Sequence, residues 1–256
     1  MSFTLRRFLP GALKTLLWGN RKKWGVKVNA DDACWREWQK TYAKFYFENQ
    51  RKGVGKRIND AGYQAMSAID LTGKRVLEIG AGDIRHLRYW RGRPSEYVLA
   101  DISPEMMVLA QKKLTEQSIV CRSLLLKRNQ PLPLSDESSD IIISFYSLEH
   151  LHPLRSYLEN MYRVLKPGGI LIGAIPAEGG MAWGVGRMLT SRRWFKKKTQ
   201  IDPDKIICWE HPNFADHIIM ELETLFQRKI LSYWPLTLLP FLDFNLVIRF
   251  QYQKPE

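Results

Sequence analysis

Val76-Leu77-Glu78-Ile79-Gly80-Ala81-Gly82-Asp83 is the stretch on which the fold turns. Arg75–Ile79 reads as a β-strand that runs straight into two glycines one residue apart. A glycine brings no Cβ, so backbone there can pass close to a ligand. Twenty-one residues after Gly80 comes Asp101, alone at the end of the next apolar run, 97–100. A carboxylate at that place can accept from both ribose hydroxyls of a bound nucleoside. A dinucleotide site would want a third glycine three residues after Gly82. Arg85 stands there, behind the bulky Ile84, so a pyrophosphate is disfavoured.

Outward from this stretch, strands alternate with helices. A helix is expected at 84–89. Ser103-Pro104-Glu105 opens another, with serine as N-cap and proline in the first turn. Residues 119–121 read as a short strand, 140–145 as a buried one, 154–165 as a helix stopped by Pro167-Gly168-Gly169, and 170–175 as the next strand. That order gives an α/β fold: a doubly wound, mostly parallel, Rossmann-like sheet with helices on both faces. Late strands are expected at 229–233 and 246–252, and a helix at 213–225. Residues 31–70 read as helical, with Trp35, Trp38, Tyr42, Phe45 and Tyr46 on one face, a break at Gly53 and Gly55, and a second helix over 57–69. Gly179, Gly180, Gly184 and Gly186 suggest a flexible stretch. Three segments follow: a basic, aromatic helical extension at 1–70, a nucleoside-binding core at 71–176, and an acceptor-side insertion with closing strands at 177–256.

The central segment resembles the class I S-adenosylmethionine-dependent methyltransferases of the small-molecule type, with a type 11-like domain. Four pieces fall in the family's order: the glycine stretch at 76–83, YVLADISPEM at 97–106, LPLSDESSDIIISFYSLEHL at 132–151 and LKPGGILIGAI at 165–175. The resemblance implies S-adenosylmethionine as cofactor. It implies that Gly80, Ala81 and Gly82 pass it by main chain and that Glu78 helps order its amino-acid end. Asp101 would take the ribose hydroxyls, Ile102 would pack on adenine, and Ser144 and Phe145 would line the methionine side. Asp140 matches an acid that braces the sheet. Two departures stand out. Ile84 occupies the family's third small position. The 121–130 stretch has no acid for the adenine amine, leaving Ser123 as the polar stand-in.

A sulfonium methyl is already activated, so the protein must align a nucleophile and keep water out. A base is needed only for a poorly acidic hydroxyl or a protonated amine. Glu149, His150 and His152 follow the fourth strand, and His150 is the first candidate; His211 is a second. Ser-Phe-Tyr-Ser replaces the Asn-Pro-Pro-Tyr amide clamp of enzymes that methylate base amines or glutamine.

The chain carries a net charge of +13 over 256 residues, and it is unevenly placed. Residues 1–75 hold 16 Lys/Arg against 6 Asp/Glu, 187–198 hold 6 against none, and 76–186 hold 12 of each. Residues 1–30 contain no acid and repeat apolar side chains at helical spacing, a basic amphipathic pattern suited to a membrane interface or to capping the domain. The expected partners are a small-molecule or lipid-linked acceptor and an anionic membrane surface met through 1–25 and 187–198. RNA methylation through the same basic residues, and a non-catalytic cofactor-binding regulator, are the alternatives. Three cysteines without metal or disulfide spacing argue for a reducing, cytoplasmic setting, peripheral on the inner membrane surface, with no metal. No run is long and apolar enough to span a bilayer, and no continuous apolar signal region stands at the start.

Overall fold

Seven strands form one sheet: β1 (Arg75–Ile79), β2 (Glu96–Asp101), β3 (Cys121–Leu125), β4 (Ser139–Phe145), β5 (Leu165–Pro176), β6 (Gln227–Trp234) and β7 (Val247–Gln253). The computed structural model describes residues 4–46, 48, 52–127 and 130–256. The strand order is β3-β2-β1-β4-β5-β7-β6, with β1 to β5 parallel and β7 antiparallel to both neighbours. β2 lies on one side of β1 and β4 on the other, so the chain reverses its direction of travel across the sheet there. In such sheets a crevice opens at the carboxyl ends of the two strands beside the reversal.

The helices are α1 (Gly11–Trp18), α2 (Arg21–Trp24), α3 (Ala33–Phe45), α4 (Gly53–Tyr63), α5 (Pro104–Glu116), α6 (Leu154–Val164), α7 (Met181–Leu189), α8 (Ser191–Lys198), α9 (Pro203–Glu210) and α10 (Ala215–Leu225). Alternate strand residues face opposite ways. Leu77, Ile142 and Leu171 join a core layer with α6 and α10, while Val76, Ile141, Ile143 and Ile172 join a second layer with Tyr63 and Met66. A third cluster sets Trp35 and Trp38 of α3 against Trp194, Phe195 and Trp209, so the N-terminal extension is packed onto the 191–210 helices.

Several expected boundaries move. Residues 85–89 form a single 3-10 turn, so no helix N-terminus follows the glycines. β3 begins at Cys121, where the strand expected at 119–121 would end, and runs four residues further, because its register on β2 extends from Cys121 to Leu125 along a half-exposed edge without apolar alternation. Gly53 and Gly55 lie inside α4, which ends at Tyr63 in a 3-10 turn. Its last turn needs Gly62: a Cβ there would stand 2.1 Å from the Tyr146 hydroxyl. β5 starts at Leu165 and absorbs Pro167-Gly168-Gly169 where its register on β4 shifts, a bulge that tolerates proline. The glycines after β5 are not a loose stretch. Gly184 packs against Leu17 and Trp18, and a Cβ on Gly180 would meet the Leu242 carbonyl at 2.4 Å.

Ile84 is fully buried yet holds φ 42° and ψ 51°, the left-handed region. A β-branched residue there is strained. The backbone thus keeps the shape that a glycine would favour, while the side chain fills the second core layer. Ile84→Ala is expected to cost about 2–5 kcal/mol from lost packing. Ile84→Gly is expected to be about 1 kcal/mol milder than Ile84→Ala, the reverse of the usual order, because glycine relieves the left-handed strain. Urea unfolding of the two variants measures the difference.

Candidate active site

The glycine turn and the end of β2 meet at the crevice. Gly80 has φ 71°, and a Cβ there would press on Ser147 at 2.6 Å; Gly82 has φ 52° and open space where a Cβ would project. Its N–H donates to Asp101 Oδ2 (3.0 Å), and the Ser103 N–H donates to Oδ1 (2.9 Å). Each carboxylate oxygen keeps a lone pair beyond that bond, one for each hydroxyl of a vicinal diol. Ile102, next along, is 52% exposed although apolar. Ala81 is buried in the second core layer.

Glu78 lies underneath and is fully buried. It accepts from Tyr97 (2.5 Å) and meets His86 Nε2 at 2.7 Å. The Trp90 indole donates to His86 Nδ1 (2.9 Å), which places the imidazole proton on Nε2, pointing at Glu78. Glu78 therefore braces the strand ends beneath the turn.

Ser144 and Phe145 do not face the crevice. Ser144 is buried with its hydroxyl 2.5 Å from that of Ser147, which donates to the Ile79 carbonyl (3.1 Å). Phe145 packs on Tyr63 and His86 at 5.3 and 5.0 Å between ring centroids, because its place in the β4 alternation points to the second core layer. Ser147 is the β4-end residue that touches the glycine turn. Ser123 pairs with Leu99, short of the Asp101 level, and its exposed hydroxyl turns to Gln111. Of the 121–130 stretch, residues 128–129 lie outside the described residues, as do 1–3 of the N-terminal segment. Asp140 braces the sheet: it accepts from the Arg75 N–H (2.8 Å) and from Lys166 (2.6 Å).

α3 straps this crevice. Tyr46 donates to Asp83 (2.9 Å) in the glycine turn, and Trp38 donates to Glu210 (2.7 Å) beyond β4. Between them, burial pushes the Tyr42 phenol up, with Glu210, Asp101 and Glu149 adding to the effect. One side chain thus feels both the ribose acid and the acids on the far side.

Those acids form a cluster at the ends of β4 and β5. Glu178 is buried and takes a bidentate grip from Arg187, with a Nη1–Oε1 distance of 2.8 Å. His211 Nδ1 lies 3.0 Å from its Oε2, and the Trp183 indole donates to the same oxygen (2.9 Å). Burial alone would raise the Glu178 carboxyl, but Arg187 and His211 outweigh it and hold it well below its usual 4.5. Burial lowers His211 to about 4 against the pull of Glu178, so its ring is neutral at pH 7. His150 Nδ1 lies 2.5 Å from the Glu210 carbonyl oxygen and 3.3 Å from a Glu210 carboxylate oxygen; Nε2 lies 3.9 Å from Glu149. Burial disfavours its cation, yet Glu210 and Glu149 prevail and raise it to about 9. Burial raises Glu149 to about 7, and its Oε2 has no hydrogen-bond partner among the described residues.

Residues 77–173 match the family model described as a methyltransferase domain. Over 105 residues the chain is 35% identical to the ubiquinone/menaquinone biosynthesis C-methyltransferase UbiE of Yersinia enterocolitica and to that of a Marinomonas species. The match covers 39% of this chain and 41% of either relative, so the chain spans about two fifths of the length of the curated relatives it matches. An S-adenosylmethionine-dependent methyltransferase from Mesorhizobium loti shares the fold with TM-score 0.52 at 15% identity, over 75% of this chain and 95% of that one. The N-methyltransferase NodS of Bradyrhizobium japonicum does so with TM-score 0.51 at 17% identity, over 78% and 96%. S-adenosylmethionine is the cofactor that this domain implies, and the open Gly82 cradle, the Asp101 lone pairs and the exposed Ile102 fit it.

The sequence reading passed over Tyr42, Tyr46, Glu178, Arg187 and Glu210. Glu178 carried a usable signal, since it follows the β5 end as Asp101 ends β2. The tyrosines are i, i+4 neighbours beside a tryptophan stripe, a spacing that core packing produces just as well.

Two outcomes test the methyltransferase site. Asp101→Ala should weaken S-adenosylhomocysteine binding by roughly 10- to 100-fold by calorimetry, the worth of hydrogen bonds to a charged group. Arg187→Met leaves Glu178 buried without its counter-charge and should cost about 3–5 kcal/mol in urea unfolding. The depressed Glu178 carboxyl stabilises the fold fully above pH 4.5 and progressively less below it. The gap between wild type and Arg187→Met should therefore narrow in acid.

Proposed function

We propose that the protein transfers a methyl group from S-adenosylmethionine to a small-molecule or lipid-linked acceptor that surrenders a proton to His150. The observation that carries this reading is the His150 environment. The Glu210 carbonyl fixes one proton on Nδ1, so Nε2 becomes an acceptor once His150 loses its second proton. His150 is 37% exposed, in the turn that follows Ser147 and the glycine strand end.

The cofactor, when bound, supplies an electrophilic methyl on a sulfonium. Asp101 and the Gly82 backbone hold its nucleoside end. The α3 strap excludes water above it. His150 Nε2, in its neutral form, would take the proton that the acceptor gives up as it gains the methyl group, the cofactor leaving as its neutral thioether. Glu149 and Glu210 stabilise the imidazolium that results. Glu149 acts through His150 and is a positioning residue. The UbiE relatives are C-methyltransferases of ubiquinone/menaquinone biosynthesis, which supports a quinone-type acceptor methylated at carbon. RNA methylation draws less support: Trp194 and Phe195, the aromatics beside the basic run, are buried and offer no stacking platform. A non-catalytic regulator would have no use for a partly exposed imidazole whose proton is tuned by two carboxylates.

The rate should climb as pH rises through about 9, where His150 loses its proton. His150→Gln should abolish that limb and lower kcat by roughly 10²- to 10⁴-fold. Glu149→Gln removes a charge that raises His150, so the limb should move to lower pH. Because the native Glu149 carboxyl lies above its unfolded value, its ionised form costs stability at pH 7 and above; Glu149→Gln should raise Tm there. An unmoved limb in Glu149→Gln, or an intact limb in His150→Gln, contradicts the assignment.

A further inference from the structure

One apolar surface has no part in the methyl-transfer site. Eleven of the twenty exposed large apolar side chains among the described residues sit on four pieces: the Leu5–Phe8 turn, α1, α7 and the 235–244 loop. These pieces adjoin one another. The two oxygens of Asp243 accept from the Leu5 N–H (2.8 Å) and from the Met181 N–H that opens α7 (3.1 Å). The Trp18 indole of α1 donates to the Gly180 carbonyl (3.3 Å), and Gly184 packs on Leu17. Val185 and Leu189, four apart on α7, are both exposed, as are Leu13 and Leu16, three apart on α1. Leu238 is 94% exposed at the tip of the loop.

Cations border this surface. α8 follows Leu189 directly and turns Arg193, Lys196, Lys197 and Lys198 outward, while Arg192 is tucked in and reaches the Thr15 carbonyl of α1 (3.4 Å). Arg7, in the Leu5–Phe8 turn, is exposed too. No acid lies within residues 1–30 or 187–198.

We infer that this face docks on an anionic lipid bilayer, with the 235–244 loop entering the acyl boundary and α8 set against the headgroups. A nearly bare leucine on a convex tip gains little from a flat protein partner but is covered on all sides by acyl chains. The cations on that border match a negative surface better than a neutral one. The loop lies outside the two basic segments that composition singles out; it reads as an apolar hairpin connection until its exposure is seen. The inference stands apart from the proton chemistry of His150. It does bear on the acceptor: α7 turns Val185 and Leu189 outward and Arg187 inward onto Glu178, so one helix joins the docking face to the cluster beside the crevice.

Sedimentation of the full chain with vesicles tests it, using phosphatidylcholine alone and phosphatidylcholine containing phosphatidylglycerol. Wild type should bind the anionic vesicles and only weakly the neutral ones. Leu238→Asp with Leu239→Asp, and separately Arg193→Glu with Lys197→Glu, should each lower the anionic-vesicle affinity by about tenfold or more, with the charge pair also losing most of its salt dependence. S-adenosylhomocysteine binding by calorimetry should be unchanged in both, which separates lost docking from misfolding and from failure of the methyl-transfer reading. Wild type that ignores anionic vesicles, or variants that bind them as well as wild type does, would overturn the inference. So would a dimer by analytical ultracentrifugation that the Leu238→Asp, Leu239→Asp variant alone dissolves, since the face would then be a contact between copies.

Discussion

The Glu178 carboxylate is the constraint on which the upper half of the structure depends. It stands at the end of β5 with no solvent contact, and a charge so placed must be compensated. Arg187, His211 and the Trp183 indole all converge on it. Arg187 and Trp183 fix α7 over the strand ends, and His211 fixes the turn after α9. From that turn the carbonyls of His211 and Pro212 accept from Arg21 at 2.6 and 2.7 Å, which ties down the N-terminal segment. Glu210 in the same turn accepts from Trp38, which ties down α3. One buried anion thus organises pieces of chain from residue 21 to residue 213 around the crevice.

The cluster is also electrically uneven in a useful way. Two histidines lie 4.7 Å apart between ring centroids, yet their surroundings drive them in opposite directions. His211 is desolvated and faces a carboxylate already satisfied by Arg187, so it stays neutral. His150 faces Glu210 and the unsatisfied Glu149, so it holds its proton to about pH 9. A single cationic imidazole beside a neutral one avoids the repulsion of two. Glu149 is kept at a cost in stability, which is what a site selected for chemistry rather than for stability looks like.

How far this was legible in the residues varies by level. The parallel core was readable because its strands are short apolar runs closed by glycine, proline or a lone acid. The β1 and β2 ends, with Gly80, Gly82 and Asp101, lie where that reading put them. Boundaries failed where backbone geometry rather than side-chain pattern decides: the 3-10 turn after Ile84, the bulge that draws Pro167 into β5, and Gly62 at the tight end of α4. Phe145 and Ser144 failed for another reason. Being at a strand end says that a residue is near the crevice, but the alternation decides which face it takes, and Phe145 takes the core. Tyr42 comes near Glu210 only through tertiary packing between segments more than a hundred residues apart.

Ile84 joins these levels. The local rule asks for glycine, and the packing of the second core layer asks for a large apolar side chain. The structure satisfies the packing and accepts the strain, holding a β-branched residue left-handed beside the cofactor turn. Asp83, immediately before it, is clamped by Tyr46 and by Lys113, whose ammonium reaches its carbonyl at 2.5 Å. These contacts over-determine the turn from both sides, which is the condition under which a strained backbone persists. Tyr46 follows α3 directly, so the segment that covers the crevice also holds the shape of its floor. Covering the crevice and shaping its floor are therefore done by one packed segment, and the N-terminal extension is part of the structure around the glycine turn.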